Sequence, residues 1–144
     1  MTHPLLAAAA LLLATTASAQ FTAVPGSGCP GANPITTAGI PKIGLSITYT
    51  WFCSSRSDVP FMVFGPAIPP VFQLPVPPAC VASCFLIHPS PPVFLAGPSG
   101  AGLTVTIAIP QDASLIGQSI HTQGACMTTA ACIYLSLATA TQIS

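Results

Sequence analysis

The chain has 144 residues, 51% of them hydrophobic and only 3% charged, with a formal net charge of zero. Lys42, Arg56, Asp58 and Asp112 are the whole ionised set at neutral pH, and Glu is absent. A basic groove for nucleic acid is excluded, because phosphate binding needs several Lys or Arg on one face, and an anionic membrane surface is disfavoured for the same reason.

Residues 5–14 form a run of about ten apolar side chains, followed by Thr15, Thr16 and then Ala17-Ser18-Ala19 before Gln20. This pattern is the h-region and A-x-A site of an export signal, with cleavage expected between Ala19 and Gln20, although the n-region offers only the amino terminus and His3. The run is too short to cross a bilayer, which takes about 20 apolar residues. No transmembrane segment is therefore expected in the mature chain. Residues 20–144 form one domain of about 125 residues, enough for a single core.

The six cysteines, Cys29, Cys53, Cys80, Cys84, Cys126 and Cys132, all fall in that domain. An even count behind an export signal reads as a disulfide framework and a secreted location, extracellular or at the cell surface, with the periplasm as an alternative. Six cysteines allow 15 connectivities, and the count alone leaves all of them open.

Residues 21–42 are rich in Pro, Gly, Ser and Thr and read as turns around short extended pieces. Leu45, Ile47, Tyr49 and Trp51 then alternate with Ser46, Thr48 and Thr50, the period of a half-buried strand. Residues 52–60 make a polar loop, and Phe61-Met62-Val63-Phe64, ended by Gly65-Pro66, reads as a buried strand. The prolines that follow (Pro66, Pro69, Pro70, Pro75, Pro77, Pro78 and Pro89) exclude helix and central-strand ladders, since proline has no N–H to donate.

Cys84 to His88 is apolar enough for a strand, and Val93–Ala96 with Leu103–Ile109 is expected to form a hairpin around Gly97–Gly102. Asp112 is placed to cap a single helical turn at 113–116. Gln118 to Thr122 reads as extended, and Ile133, Leu135 and Leu137 alternate with Tyr134, Ser136 and Ala138 in a last strand. The fold class is all-β: a single β-sandwich, jelly-roll or immunoglobulin-like, of about seven or eight short antiparallel strands stapled by disulfides.

Four strings occur in a recognisable order: Gly26-Ser27-Gly28-Cys29-Pro30-Gly31, Ile40-Pro41-Lys42-Ile43-Gly44, Cys84-Phe85-Leu86-Ile87-His88-Pro89-Ser90-Pro91, and Ile109-Pro110-Gln111-Asp112 running on to Leu115-Ile116-Gly117. In that order the chain resembles a family of secreted β-sandwich modules abundant in planctomycete bacteria. The resemblance covers nearly the whole mature chain and implies compartment and class but no activity. It implies a disulfide between the positions matching the family's commoner pair, Cys29 and Cys84, with Cys53, Cys80, Cys126 and Cys132 as additions. A local Cys126–Cys132 loop comes next, and Cys53 with Cys80 then remains. The long loop would constrain the unfolded chain by roughly 4 kcal/mol, against about 2.4 kcal/mol for the local one.

Little catalytic chemistry fits these residues. Hydrolysis by paired carboxylates needs two acids in one site, whereas Asp58 lies in a polar loop and Asp112 at a turn. A serine triad would need His88 or His121 beside one of them, and no G-x-S-x-G elbow places a nucleophile. Cys80-x-x-x-Cys84 has a spacing that zinc sites use, but in an exported chain the disulfide reading prevails. Calcium would want several carboxylates. No cofactor, metal or catalytic residue is expected.

Tyr49 and Trp51 share the face of Leu45 and Ile47 and read as core, so Tyr134, opposite its apolar neighbours, is the candidate exposed aromatic contact. The proline-rich stretch 61–78 reads as cover for an open sandwich edge, or, if exposed, as a docking patch. The expectation is a non-enzymatic secreted structural or interaction module whose partner is a protein or glycan at the cell surface. The alternatives are a carbohydrate-binding module and a surface-active, self-assembling coat protein.

Overall fold

The structure, a computed structural model, describes residues 21–66, 71–75, 83–87, 91–100 and 102–144. Within them the chain forms eleven short strands and one 3-10 turn. The strands are β1 (Phe21–Ala23), β2 (Thr36–Gly39), β3 (Ser46–Trp51), β4 (Val59–Gly65), β5 (Val71–Gln73), β6 (Phe85–Ile87), β7 (Val93–Ala96), β8 (Leu103–Ala108), β9 (Ser119–Met127), β10 (Ile133–Leu135) and β11 (Thr139–Gln142). Every pairing between these strands is antiparallel. A six-stranded sheet runs β1-β11-β9-β4-β7, with β10 also on β9, a three-stranded sheet runs β2-β3-β8, and β5 pairs with β6 in a two-stranded ribbon. Strands outnumber the expected seven or eight because segments such as Thr36–Gly39 and Thr139–Gln142 carry no apolar alternation and are extended only through their neighbours.

The period-two segments form the smaller sheet. Ile47 and Tyr49 are fully buried, while Thr48 and Thr50 hydrogen-bond Thr106 and Thr104 of β8 hydroxyl to hydroxyl, at 3.0 and 3.3 Å, on the outer face. Inward, Ile47 and Tyr49 pack on Met62 and Phe64 of β4, together with Ile35, Ile109 and Ile143, and this cluster is the core between the two larger sheets. The Tyr49 and Phe64 rings meet edge-on at 5.5 Å, and the Tyr49 hydroxyl donates to Thr141 Oγ1 at 2.9 Å, so its polar end is satisfied in the core. Burying a side chain the size of Ile47 or Met62 stabilises by about 1.5–3 kcal/mol. Leu45, expected on the same face, is exposed, because it lies in the turn before β3, where its N–H donates to Lys42 O.

β4 is apolar at consecutive positions because both its faces are covered. Met62 and Phe64 face the three-stranded sheet, whereas Val63 packs on Ile87 of β6 and on Ala138. The β5–β6 ribbon thus lies over the outer face of the six-stranded sheet as a third layer. Its second cluster joins Cys29, Cys84 and Leu135 to Leu74, Leu86 and Ile133. Of the stretch 61–78, residues 61–65 belong to β4 within the large sheet and 71–74 to the ribbon that covers a sheet face, not an edge, while residues 67–70 and 76–78 lie outside the described residues.

An isolated bridge between Gly28 and Phe85 sets the Cys29–Cys84 disulfide. Their backbones exchange hydrogen bonds at 2.7 and 2.8 Å, bringing the adjoining cysteines together. Gly28 has φ +80, and a Cβ there would lie 2.6 Å from Ser136 O, so only glycine permits the approach.

Two expectations about long-range pairing are corrected. Val93–Ala96 and Leu103–Ile109 do not pair as a hairpin: β7 joins β4 of the large sheet, and β8 joins β3 of the small one. The Gly97–Gly102 connection crosses between sheets, anchored by Gly97 N–H donating to Pro60 O at 2.9 Å. Cys126 bonds Cys53, not Cys132, and Cys53 therefore does not bond Cys80. Cys126 faces the small sheet, with its sulfur 3.1 Å from Trp51 Nε1, and Cys53 leaves β3 just beyond that indole. Cys132 is also disulfide-bonded, and Cys80, the sixth cysteine of the sequence, lies outside the described residues.

The last predicted strand is broken. Leu135 pairs with Ala125 and Thr139 with Thr122, so between these pairs three residues, 136–138, oppose two on β9, which is a bulge. Ser136 occupies it, its hydroxyl accepting Gly124 N–H at 2.8 Å and donating to Leu137 O. The turn after Pro110 is as expected: Asp112 caps the 3-10 turn Ala113–Leu115, its carboxylate accepting Ser114 N–H at 2.9 Å. That bond holds the Asp112 carboxyl below its ordinary value. The predicted signal segment and its cleavage site at Ala19 and Gln20 lie outside the described residues, as does His88.

Candidate functional site

Where β3 leaves the small sheet, Trp51, Phe52 and Cys53 turn towards the large sheet, and the Cys53–Cys126 disulfide ties this corner to β9. The Trp51 indole N–H donates to Ala125 O at 3.2 Å. A Cβ at Gly124 would lie 2.6 Å from the indole ring, so the missing side chain of Gly124 is what lets the two sheets close here. Trp51 is therefore half-buried and fixed in orientation. Phe52, one residue on, faces outward and is 65% exposed.

Three segments far apart in sequence meet at this corner and enclose an open groove of about 510 Å³. The loop 52–58 supplies Phe52, Ser54 and Asp58, the turn after Cys29 supplies Asn33, and β10 supplies Tyr134, with Trp51 between them. Tyr134 is 41% exposed, as its position opposite Ile133 and Leu135 implies. Asn33 and Ser54 are exposed as well. The arrangement joins aromatic faces to hydroxyl, amide and carboxylate groups, with no Lys, Arg or His among the described residues that line it.

Asp58 is only 6% exposed, yet its carboxylate makes no hydrogen bond or ion pair among the described residues. The backbone around it is well held, with Asp58 N–H donating to Ser55 O and Gly100 N–H donating to Asp58 O, both at 3.2 Å. Asp58 is one of the residues lining the groove.

The other chemistry-bearing side chains lie apart from this groove. His121 is buried on the opposite face of β9, where neither ring nitrogen has a hydrogen-bond partner among the described residues, and burial pushes its imidazole below the ordinary value. Tyr49 is in the core, where desolvation raises its phenol. A second cavity of about 220 Å³, beneath the β5–β6 ribbon, is lined by apolar side chains such as Phe61, Leu74, Leu86 and Phe94. Among the described residues no three His, Cys, Asp or Glu gather to hold a metal ion, and no helix is long and apolar enough to cross a membrane.

Sequence reasoning found Tyr134 but missed Phe52, Asn33 and Asp58 as its companions. Phe52 was legible as the apolar residue that breaks the alternation ending at Trp51, and Asp58 as one of four charges in the chain. No sequence signal joins Asn33 to them, since only the fold brings it there. No family model matches this chain, and no curated protein or solved structure matches it at a significant level.

Proposed function

We propose that this chain is a secreted, non-enzymatic recognition module of the cell surface or extracellular space. The observation that carries this reading is the groove beside Trp51, where exposed Phe52 and Tyr134 flank a carboxylate with no partner among the described residues. Exposed aromatics next to unused polar groups are a marker of binding, because each gives up favourable burial or pairing in the free protein. Disulfides suit an oxidising compartment, and the apolar leader with its A-x-A site supports export. The motif order resembling planctomycete secreted modules points to the same compartment. Labelled chain added to washed cells of its native host should be retained on the envelope, and the Phe52→Ala/Tyr134→Ala variant should wash off. Equal retention of both would remove the groove from the account.

A second reading, self-association into a coat, draws on β7. This strand ends the six-stranded sheet, and among the described residues it pairs only with β4. Its side chains are uncharged and exposed, Val93 by 53%, Phe94 by 63% and Leu95 by 38%. An apolar edge without a blocking charge is a template for strand addition. Sedimentation across a concentration series decides it: association abolished by Val93→Lys supports the coat, and a monomer throughout dismisses it.

A further inference from the structure

We infer that the groove at Asp58 takes a neutral glycan chain, with Phe52 and Tyr134 stacking on sugar faces and Asp58 accepting hydrogen bonds from ring hydroxyls. The inference deepens the recognition-module reading and rests on it. A sugar ring presents a C–H face, which an aromatic ring covers, and a rim of hydroxyls, each both donor and acceptor. The groove offers both kinds of partner: two exposed aromatic rings, and the side chains of Asn33, Ser54 and Asp58.

Asp58 decides between ligand classes. Its carboxylate is an acceptor only, and it belongs to a 94% buried residue that has no hydrogen-bond donor to its side chain among the described residues. A ligand hydroxyl supplies that donor and forms a charge-assisted bond, about twice as strong as a neutral one. The same carboxylate repels uronate, sulfate or phosphate groups, and among the described residues no Lys, Arg or His lines the groove to receive them. A quaternary ammonium would satisfy the carboxylate and the rings, but it makes no use of the Asn33 amide or the Ser54 hydroxyl. A neutral sugar uses all of them. The volume, about 510 Å³, lies within the ordinary range for ligand sites, and open clefts suit a chain that enters and leaves at both ends.

The test titrates the intact, disulfide-bonded chain with cellohexaose, mannohexaose and chitohexaose, and separately with tetramethylammonium, by calorimetry and by the emission of Trp51, the only tryptophan. At least one hexaose should bind with a change in Trp51 emission. Its affinity should fall by about tenfold or more in Phe52→Ala, in Tyr134→Ala and in the isosteric Asp58→Asn, roughly 1.4 kcal/mol each. Phe52 and Tyr134 are exposed, so their variants should melt as the parent does, which separates lost contact from lost fold. Absence of binding by all three hexaoses at millimolar concentration, affinity unchanged in the variants, or binding of tetramethylammonium alone would overturn the inference. Envelope retention that no hexaose competes away rejects the glycan and leaves the recognition reading standing. Loss of groove-dependent retention rejects both.

Discussion

The side-chain amide of Gln123 accepts the backbone N–H of Ile87 at 2.8 Å, so a strand of the outer ribbon is hydrogen-bonded to the six-stranded sheet through a side chain. The same amide nitrogen donates to Phe85 O and to Ser136 O, each at 2.9 Å. Both of its N–H donors and its oxygen are engaged by backbone groups of the ribbon and of the bulge after β10.

Gln123→Leu keeps the volume and removes the amide. Each buried backbone group left without a partner costs about 1–3 kcal/mol, so a loss of about 3 kcal/mol or more is expected by urea denaturation. Hydrogen exchange at Ile87 should rise more than at Tyr49, because the ribbon loosens before the core. Uniform loss of protection would show that the ribbon and the sandwich are one cooperative unit.

Gly124 and Trp51 make a second close fit. A Cβ 2.6 Å from the indole has no room without moving the ring, and moving it breaks the bond to Ala125 O. Gly124→Ala should therefore cost about 1–3 kcal/mol, as overpacking does, and shift Trp51 emission to the red. Unchanged emission would mean that the sheets part while the ring stays.

Acid sensitivity should come from His121. Its imidazole lies below the ordinary value because burial disfavours the charged form, so the folded chain binds its proton less readily than the unfolded chain. The stability tied to this group is complete above the unfolded value, about 6.5, and is lost as pH falls through the depressed folded value. Thermal midpoints should drop in that window, and His121→Gln should flatten the profile there. Asp112, also depressed, acts only at lower pH, losing its contribution as pH falls from about 3.8 through the folded value.

Peptide mapping should find Cys29–Cys84 and Cys53–Cys126. Cys132 is bonded too, and no described cysteine is free. A free thiol at Cys29, Cys53, Cys84, Cys126 or Cys132 would contradict the structure. The loops closed by the first two bonds span 55 and 73 residues, and the chain-entropy relation assigns about 4 kcal/mol to each. Cys53→Ser/Cys126→Ser should lose stability on that scale and also disorder the groove, since this bond holds the Phe52 corner.

Local patterns were legible in the residues themselves. The alternation around Ile47 and Tyr49 marked a strand with one wet face, the continuous run at Phe61–Phe64 marked a strand without one, and Asp112 marked its turn. Each rests on a period or a cap that a few neighbouring residues define. The same rules say nothing about partners. Val93–Ala96 and Leu103–Ala108 had the form of a hairpin and went to different sheets, because edge pairing depends on which distant strand offers a complementary face.

By itself, then, the sequence determined an all-β chain with almost no charge and too little basic surface for nucleic acid, since composition and short-range periodicity act locally. Only the tertiary structure decided that Cys53 meets Cys126, that Gln123 fastens the β5–β6 ribbon, and that Asn33, Phe52, Asp58 and Tyr134 share one groove. Those contacts join residues separated by tens of positions, and their formation follows from sheet packing, which no local pattern encodes.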